Sequence, residues 1–131
     1  MNKIMIHPEV WEDLKKKHCP GLGKELPRIC KLLTQDGILP GERPIHYLTL
    51  TTLQNKTFHA GINLPGENVG KRRGGRIVYV KESFGLLKIV YVGSHKDKRY
   101  DNPHALVDLI CERYQAPENL YKIYNNGSKF I

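Results

Sequence analysis

The stretch that decides the fold is residues 72–100, RRGGRIVYVKESFGLLKIVYVGSHKDKRY. Two runs within it, Arg76–Lys81 and Leu86–Tyr91, are rich in Val, Ile, Leu and Tyr, with Gly74-Gly75 before them and Gly93 after. That pattern reads as a β-hairpin whose turn lies within Glu82-Ser83-Phe84-Gly85. Both strands are apolar on both faces, which suggests central rather than edge positions. Lys81 and Lys88 are the polar interruptions. With both turned to solvent, Arg76, Val78 and Val80 share a face with Leu87, Ile89, Tyr91 and, by continued alternation, His95. A two-residue Phe84-Gly85 loop sets Arg76 opposite Gly93 and diagonal to His95, roughly 7 Å away. A four-residue loop keeps the face but slides the pair a step apart. A three-residue loop puts them on opposite faces, because a one-residue slip flips every side chain.

The mouth of this hairpin carries Arg72, Arg73, Arg76, His95, Lys96, Lys98, Arg99 and Tyr100. An apolar scaffold holding so many cationic and titratable groups at one end suits a surface that grips or cleaves an RNA backbone. The plainer alternative is an exposed basic rim on an ordinary sheet. The whole chain has 131 residues and a formal net charge of +8. One domain, residues 1–131, is the expectation, large enough to bury a core without staples. Such a basic domain suits a polyanion: nucleic acid, a ribosome, a membrane surface or an acidic protein.

Outward from the hairpin, Lys3–Ile6 reads as a short first strand. Pro8 suits the first turn of a helix over Glu9–His18, with Val10 and Leu14 on one face, Trp11 near it and Cys19-Pro20-Gly21 as its end. A second helix from about Glu25 to Gln35 carries Leu26, Ile29, Cys30 and Leu33 as its stripe and Gly37 as its stop. The two are expected as an antiparallel pair. Ile38–Pro44 reads as a loop, Ile45–Leu53 and Thr57–Leu64 as strands, and Gln54-Asn55-Lys56 as a turn. Pro65–Gly75, with four glycines and the basic cluster Lys71-Arg72-Arg73, reads as a loop near a ligand. Asp101 or Asn102 caps a helix that starts at Pro103, runs to about Tyr114 and buries Leu106, Leu109, Ile110 and Tyr114. Residues 118–131 read as a polar tail with Tyr121 and Tyr124. The expected fold is α+β: an N-terminal helix pair packed on a small, mainly antiparallel four-stranded sheet, with a C-terminal helix.

Several classes drop out. No run of 18 apolar residues exists to span a membrane, and MNKIMIHPEV is too short and broken for a signal peptide. Cys19, Cys30 and Cys111 are odd in number and fit no zinc or haem spacing, which suits a reducing cytoplasm. His7, His18, His46, His59 and His104 show no ligand spacing, so neither a metal nor a cofactor is expected. Gly70-Lys71-Arg72-Arg73-Gly74 lacks the trailing Gly-Lys-Ser/Thr of a phosphate-binding loop, and Gly21-Leu22-Gly23 opens no dinucleotide fold. Ser83 and Ser94 lack the context of a nucleophile elbow.

The element order β-α-α-β-β-β-β-α, or the same order with one middle strand fewer, together with Gly75-Arg76-Ile77-Val78-Tyr79, Ile89-Val90-Tyr91-Val92-Gly93 and the end His95, Lys98, Tyr100, resembles the RelE/ParE superfamily of toxins from bacterial type II toxin–antitoxin systems. The likeness covers most of residues 3–115; the longer loop at residues 65–75 and the added tail depart from it. It implies a cytoplasmic, ribosome-dependent mRNA endonuclease that blocks translation and is neutralised by an acidic antitoxin. The alternatives it leaves open are a ParE-like gyrase-binding toxin and a non-catalytic RNA-binding module.

RNA cleavage of this kind needs a base for the 2′-hydroxyl, a donor for the leaving 5′-oxygen and cations on the phosphate. The catalytic candidates are Arg76, His95, Lys98 and Tyr100. Arg76 suits the phosphate clamp, or else pairs with a carboxylate of the fold. His95 suits the acid or base, or is a surface histidine. Tyr100 suits base stacking or proton donation, or simply caps the rim. Lys98 and Arg99 would stabilise the phosphorane charge, and Lys96 would add attraction to the backbone. Lys71, Arg72 and Arg73 complete the RNA-binding set by general electrostatic attraction.

Overall fold

The computed structural model describes residues 2–16, 22–45, 53–62, 75–83, 85–125 and 129–130. The chain is α+β, and its order is β1 (Lys3–Ile6), α1 (Glu9–Leu14), a 3₁₀ turn (Leu22–Glu25), α2 (Leu26–Asp36), β2 (Arg43–Pro44), β3 (Thr57–Ile62), β4 (Gly75–Ser83), β5 (Leu86–Ser94), α3 (Lys98–Asp101), α4 (Pro103–Tyr114), a 3₁₀ turn (Glu118–Leu120), β6 (Lys122–Asn125) and β7 (Lys129–Phe130).

The expected four-stranded, mainly antiparallel sheet is not what forms. Six strands run in the order β2-β3-β4-β5-β1-β6, and the two-residue β7 pairs with β6. The sheet is mixed because β1 lies parallel to β5, Lys3 opposite Leu86 through Ile6 opposite Ile89. β1 is three-quarters buried in sequence, KIMI with only Lys3 exposed, so it belongs inside a sheet and not at its margin. The reading of residues 118–131 as a polar tail is corrected for the same reason: β6 covers the outer edge of β1, with Met5 opposite Ile123. Tyr121 packs inside at 4% exposure and donates its hydroxyl to the Arg113 carbonyl at 2.7 Å.

The expected N-terminal helix pair is also corrected. α1 has six residues, under two turns, and packs along β5 beyond the point where β1 stops; α2 packs against β1 and the core. A helix so short has too little apolar surface for a partner helix, and its two buried side chains, Val10 and Asp13, are directed to different tasks. α2 follows its sequence signals: Pro27 in the first turn, the stripe Leu26, Ile29, Cys30 and Leu33 buried, and Gly37 ending it at φ 72° with its N–H on Leu33 O at 2.9 Å. Asn2 pins the start of β1 to that end, donating to Leu33 O at 3.0 Å. α4 begins at the Asn102–Pro103 junction, where the Asn102 side chain accepts from the N–H of His104 and Ala105. Of the expected strand Ile45–Leu53, Ile45 and Leu53 are buried outside any strand, and 46–52 lie outside the described residues. Arg43–Pro44, expected as loop, is a short edge strand on β3.

The central hairpin pairs Ser83 with Leu86 across its turn and sets Arg76 opposite Gly93. Its faces differ from simple alternation. The pairing steps from Val78–Tyr91 to Tyr79–Ile89, so Val90 is an extra residue in β5, and Glu82 is the compensating extra residue in β4. Ile77, Tyr79, Leu87, Ile89 and Val92 therefore face α2 and Val10, while Val78, Val80, Val90 and Tyr91 face Leu106, Leu109 and Ile110 of α4. Leu87 and Ile89 thus leave the face on which alternation placed them beside Val78. The bulge also turns Lys88 inward. It is 5% exposed, with its ammonium 3.1 Å from Glu118 and over the rings of Tyr114 and Tyr121. Lys81 is half-buried on Glu42 at 2.7 Å. Neither lysine is a solvent-facing interruption.

One polar network ties these layers. Asp13, 1% exposed, receives two N–H groups from Arg113 and one from Arg99 at 3.0 Å. Arg113 also donates to the carbonyl of the bulge residue Val90 at 2.9 Å. Removing one member of a buried ion pair leaves an unanswered charge, which costs about 3–5 kcal/mol. Asp13→Ala should therefore lower unfolding free energy by that amount in urea titration, a large share of a typical domain's stability.

His7 gives a pH signature. Its Nδ1 accepts the Glu9 N–H at 3.1 Å, and burial, helped by Arg113, holds its pKa below the ordinary 6.5 against the nearby carboxylates. The unfolded chain then takes the proton first. Stability is full above pH 6.5 and declines as pH falls below it, towards the folded-state pKa. His7→Asn keeps an acceptor without the titration. Its denaturation midpoint should fall less than the parent's between pH 7.5 and 5.

Candidate functional site

Two polar groups of the hairpin mouth, Arg76 and Tyr100, lie on the α4 face of the sheet beside β3. On β3, Phe58, Ala60 and Ile62 belong to the core on the other face, so His59 and Gly61 lie on this one. His59 stands opposite Val78, and Gly61 opposite Arg76. Arg76 shares the parity of Val78 and Val80 and so lies on the same face. Both of its cross-strand neighbours, Gly61 and Gly93, lack side chains. The half-buried Arg76 guanidinium donates to the adjacent Gly75 carbonyl at 2.9 Å. His59 is its diagonal neighbour, about 7–8 Å away by sheet geometry.

Tyr100 completes the group from α3. Its hydroxyl lies 2.8 Å from His59 Nδ1, and the tautomer of His59 decides which of the two donates. Its ring stacks on the fully buried Tyr91, with centroids 5.7 Å apart and planes at 15°. Tyr91 in turn donates its hydroxyl to the Ser94 carbonyl at 3.0 Å, laying its ring over Gly93. The arrangement therefore has a rigid aromatic floor, a histidine–tyrosine pair able to hold and pass a proton, and a guanidinium one diagonal step along the sheet.

The turn Ser94–Asp97 and the one-turn helix α3 carry the remaining candidates. β5 ends at Ser94, so His95 sits half-buried in the turn and strand alternation no longer fixes its face. Lys96 and Lys98 are exposed beside it. Arg99 is held differently from an RNA contact waiting on a surface. It donates to Asp97 through Nε at 3.2 Å and a terminal nitrogen at 2.8 Å, and to Asp13 at 3.0 Å. The Asp97 hydrogen bond, with the Asp13 charge, pushes the Arg99 pKa up against its burial. Burial draws the Asp97 carboxyl upward, but bonds from the Arg99 side chain and backbone outweigh it and hold it low. Lys71, Arg72 and Arg73 lie outside the described residues.

The structure thus brings Arg76 and Tyr100 to one face, and it adds His59, which its spacing in the sequence did not single out. The signal was a lone basic side chain in a strand of Thr, Phe, Ala and Ile. What was missing was register, because β3 and β4 are joined through residues 63–74 and not by a tight turn whose length would set it. No three His, Cys, Asp or Glu side chains among the described residues come together as metal ligands. No helix among them is long and apolar enough to cross a membrane. Compared with known protein families, curated proteins and solved structures, the chain matches none.

Gly93 is the position where the site's backbone has least room. A Cβ there would lie 2.4 Å from the Tyr91 hydroxyl oxygen and 2.7 Å from the ring carbon that bears it. The buried ring has nowhere to retreat, so overpacking costs about 1–3 kcal/mol. Gly93→Ala should lower the thermal midpoint and change the near-ultraviolet circular dichroism of the stacked Tyr91–Tyr100 pair.

Proposed function

We propose that this chain is an endoribonuclease toxin of the RelE kind, cutting mRNA on the ribosome and held in check by an acidic antitoxin. The observation that carries the reading is the hydrogen-bonded His59–Tyr100 pair one diagonal step from Arg76, on a chain of net charge +8. Strand scission by internal attack needs a proton removed from the 2′-hydroxyl, a proton given to the 5′-oxygen and a charge on the phosphate between them. Arg76 is suited to fork onto the phosphate oxygens. His59 and Tyr100 share one hydrogen between groups that can both accept and donate, which suits the proton steps. The exposed Lys96 and Lys98 suit attraction of the flanking backbone, a contribution that weakens with salt. His95 stands in the same turn as a second acid–base candidate.

The reading is tested by expressing the chain and by incubating it with mRNA in the presence and absence of ribosomes. Growth arrest with cleavage confined to ribosome-bound message is the expected result. His59→Gln should reduce cleavage by about 10²-fold or more, the usual share of a general acid or base, while the fold is retained. Intact transcripts beside inhibited DNA supercoiling would replace this reading with the gyrase-binding one. An unchanged rate in His59→Gln would return the acid–base role to His95.

A further inference from the structure

We propose that Arg99 is a positioning residue, which holds Tyr100 against His59 through its bonds to Asp13 and Asp97. The proposal rests on the reading that the His59–Tyr100 pair carries the proton chemistry. α3 has four residues, Lys98–Asp101, a length that does not sustain a helix by itself. Asp97 and Arg99 both restrain it. Asp97 caps it by accepting the Arg99 N–H at 2.9 Å, and the Arg99 side chain clamps the turn to α1 by bonding Asp97 and Asp13 together.

Asp13 is a fixed anchor. Arg113 holds both of its carboxylate oxygens and is itself tied to the Val90 carbonyl. Contacts thus run without a break from the bulge of β5 through Arg113, Asp13 and Arg99 to α3. The residue after Arg99 is Tyr100, and both stand over the Tyr91 ring, Arg99 with its guanidinium carbon 5.9 Å from the ring centre. Without the clamp, α3 loses its tie to α1, and the phenol is held less firmly in its place 2.8 Å from His59. A shift of that kind affects the chemical step more than substrate binding.

Arg99→Gln is the informative variant. Asp13 keeps both bonds from Arg113, so the buried carboxylate is not left unpaired. With the full chain, three quantities are compared with wild type: kcat and KM for ribosome-bound mRNA, the pH profile of kcat, and the NMR signals of the His59 ring. The expected result is a kcat about tenfold lower or more, KM within twofold, an altered pH profile and displaced His59 signals. Arg99→Lys should restore part of kcat, since an ammonium reaches one carboxylate but does not fork between two. A raised KM at unchanged kcat would overturn the proposal and make Arg99 a phosphate contact. Unchanged kinetics and unchanged His59 signals would overturn it as well. If wild type cuts no RNA, the nuclease reading fails, and the His59 signals of folded Arg99→Gln alone decide the positioning. Should Arg99→Gln not fold, Asp97→Asn decides by the same readings, because it keeps the cap acceptor and removes the charge on one side of the clamp.

Discussion

Asp13 is the group on which the other parts of the structure converge. It lies on a helix of under two turns, is almost wholly withdrawn from water, and answers two guanidinium groups that come from α3 and α4. A carboxylate placed so deep is costly to desolvate. It persists because its oxygens are saturated with charged donors, and because Arg113 has a second acceptor in the Val90 carbonyl. The arrangement fixes the angle at which α4 crosses the sheet and the place of the turn before it. Apolar packing alone leaves both less determined, since Leu, Val and Ile surfaces accept many small slides.

The bulge at Val90 makes this network possible. An extra residue in β5 leaves a carbonyl that the neighbouring strand does not take up in the regular ladder, and Arg113 supplies its donor. The same bulge turns Lys88 under the tyrosines of the C-terminal segment and brings Val90 and Tyr91, neighbours in sequence, to one face. Tyr91 then becomes the floor on which Tyr100 stacks. A single irregularity in the central strand thus connects the packing of the core to the geometry of the candidate site. Beside Arg76 both cross-strand positions are glycines, and the Tyr91 ring lies over one of them, Gly93.

Much of the local structure was legible in the residues. The hairpin itself follows from two apolar runs and a glycine, whereas its loop length, and with it the pairing of Arg76 with Gly93, was left open among three possibilities. The ends of α2 and the start of α4 follow from Pro27, Gly37, Asn102 and Pro103, because caps and turns are decided within a few residues. The sheet as a whole was not legible. The partner of Lys3–Ile6 is more than 80 residues away in sequence, and a parallel neighbour leaves no turn signal between the strands. The tail showed only polar composition, since a strand that covers an edge buries few of its side chains: Lys122 and Ile123 are exposed and Tyr124 is half-buried.

The candidate site divides along the same line. Sequence alone determined that a basic, aromatic mouth closes one end of an apolar hairpin, because charge and hydropathy are properties of the residues themselves. It also pointed to Arg76 and Tyr100. Only tertiary structure decided that Tyr100 meets His59, that Arg99 answers two carboxylates, and that one of these is Asp13, 86 positions away. Those pairings depend on strand register and on the angle of a one-turn helix. Both are set by which distant side chains share a buried space, and no short window of sequence contains that information.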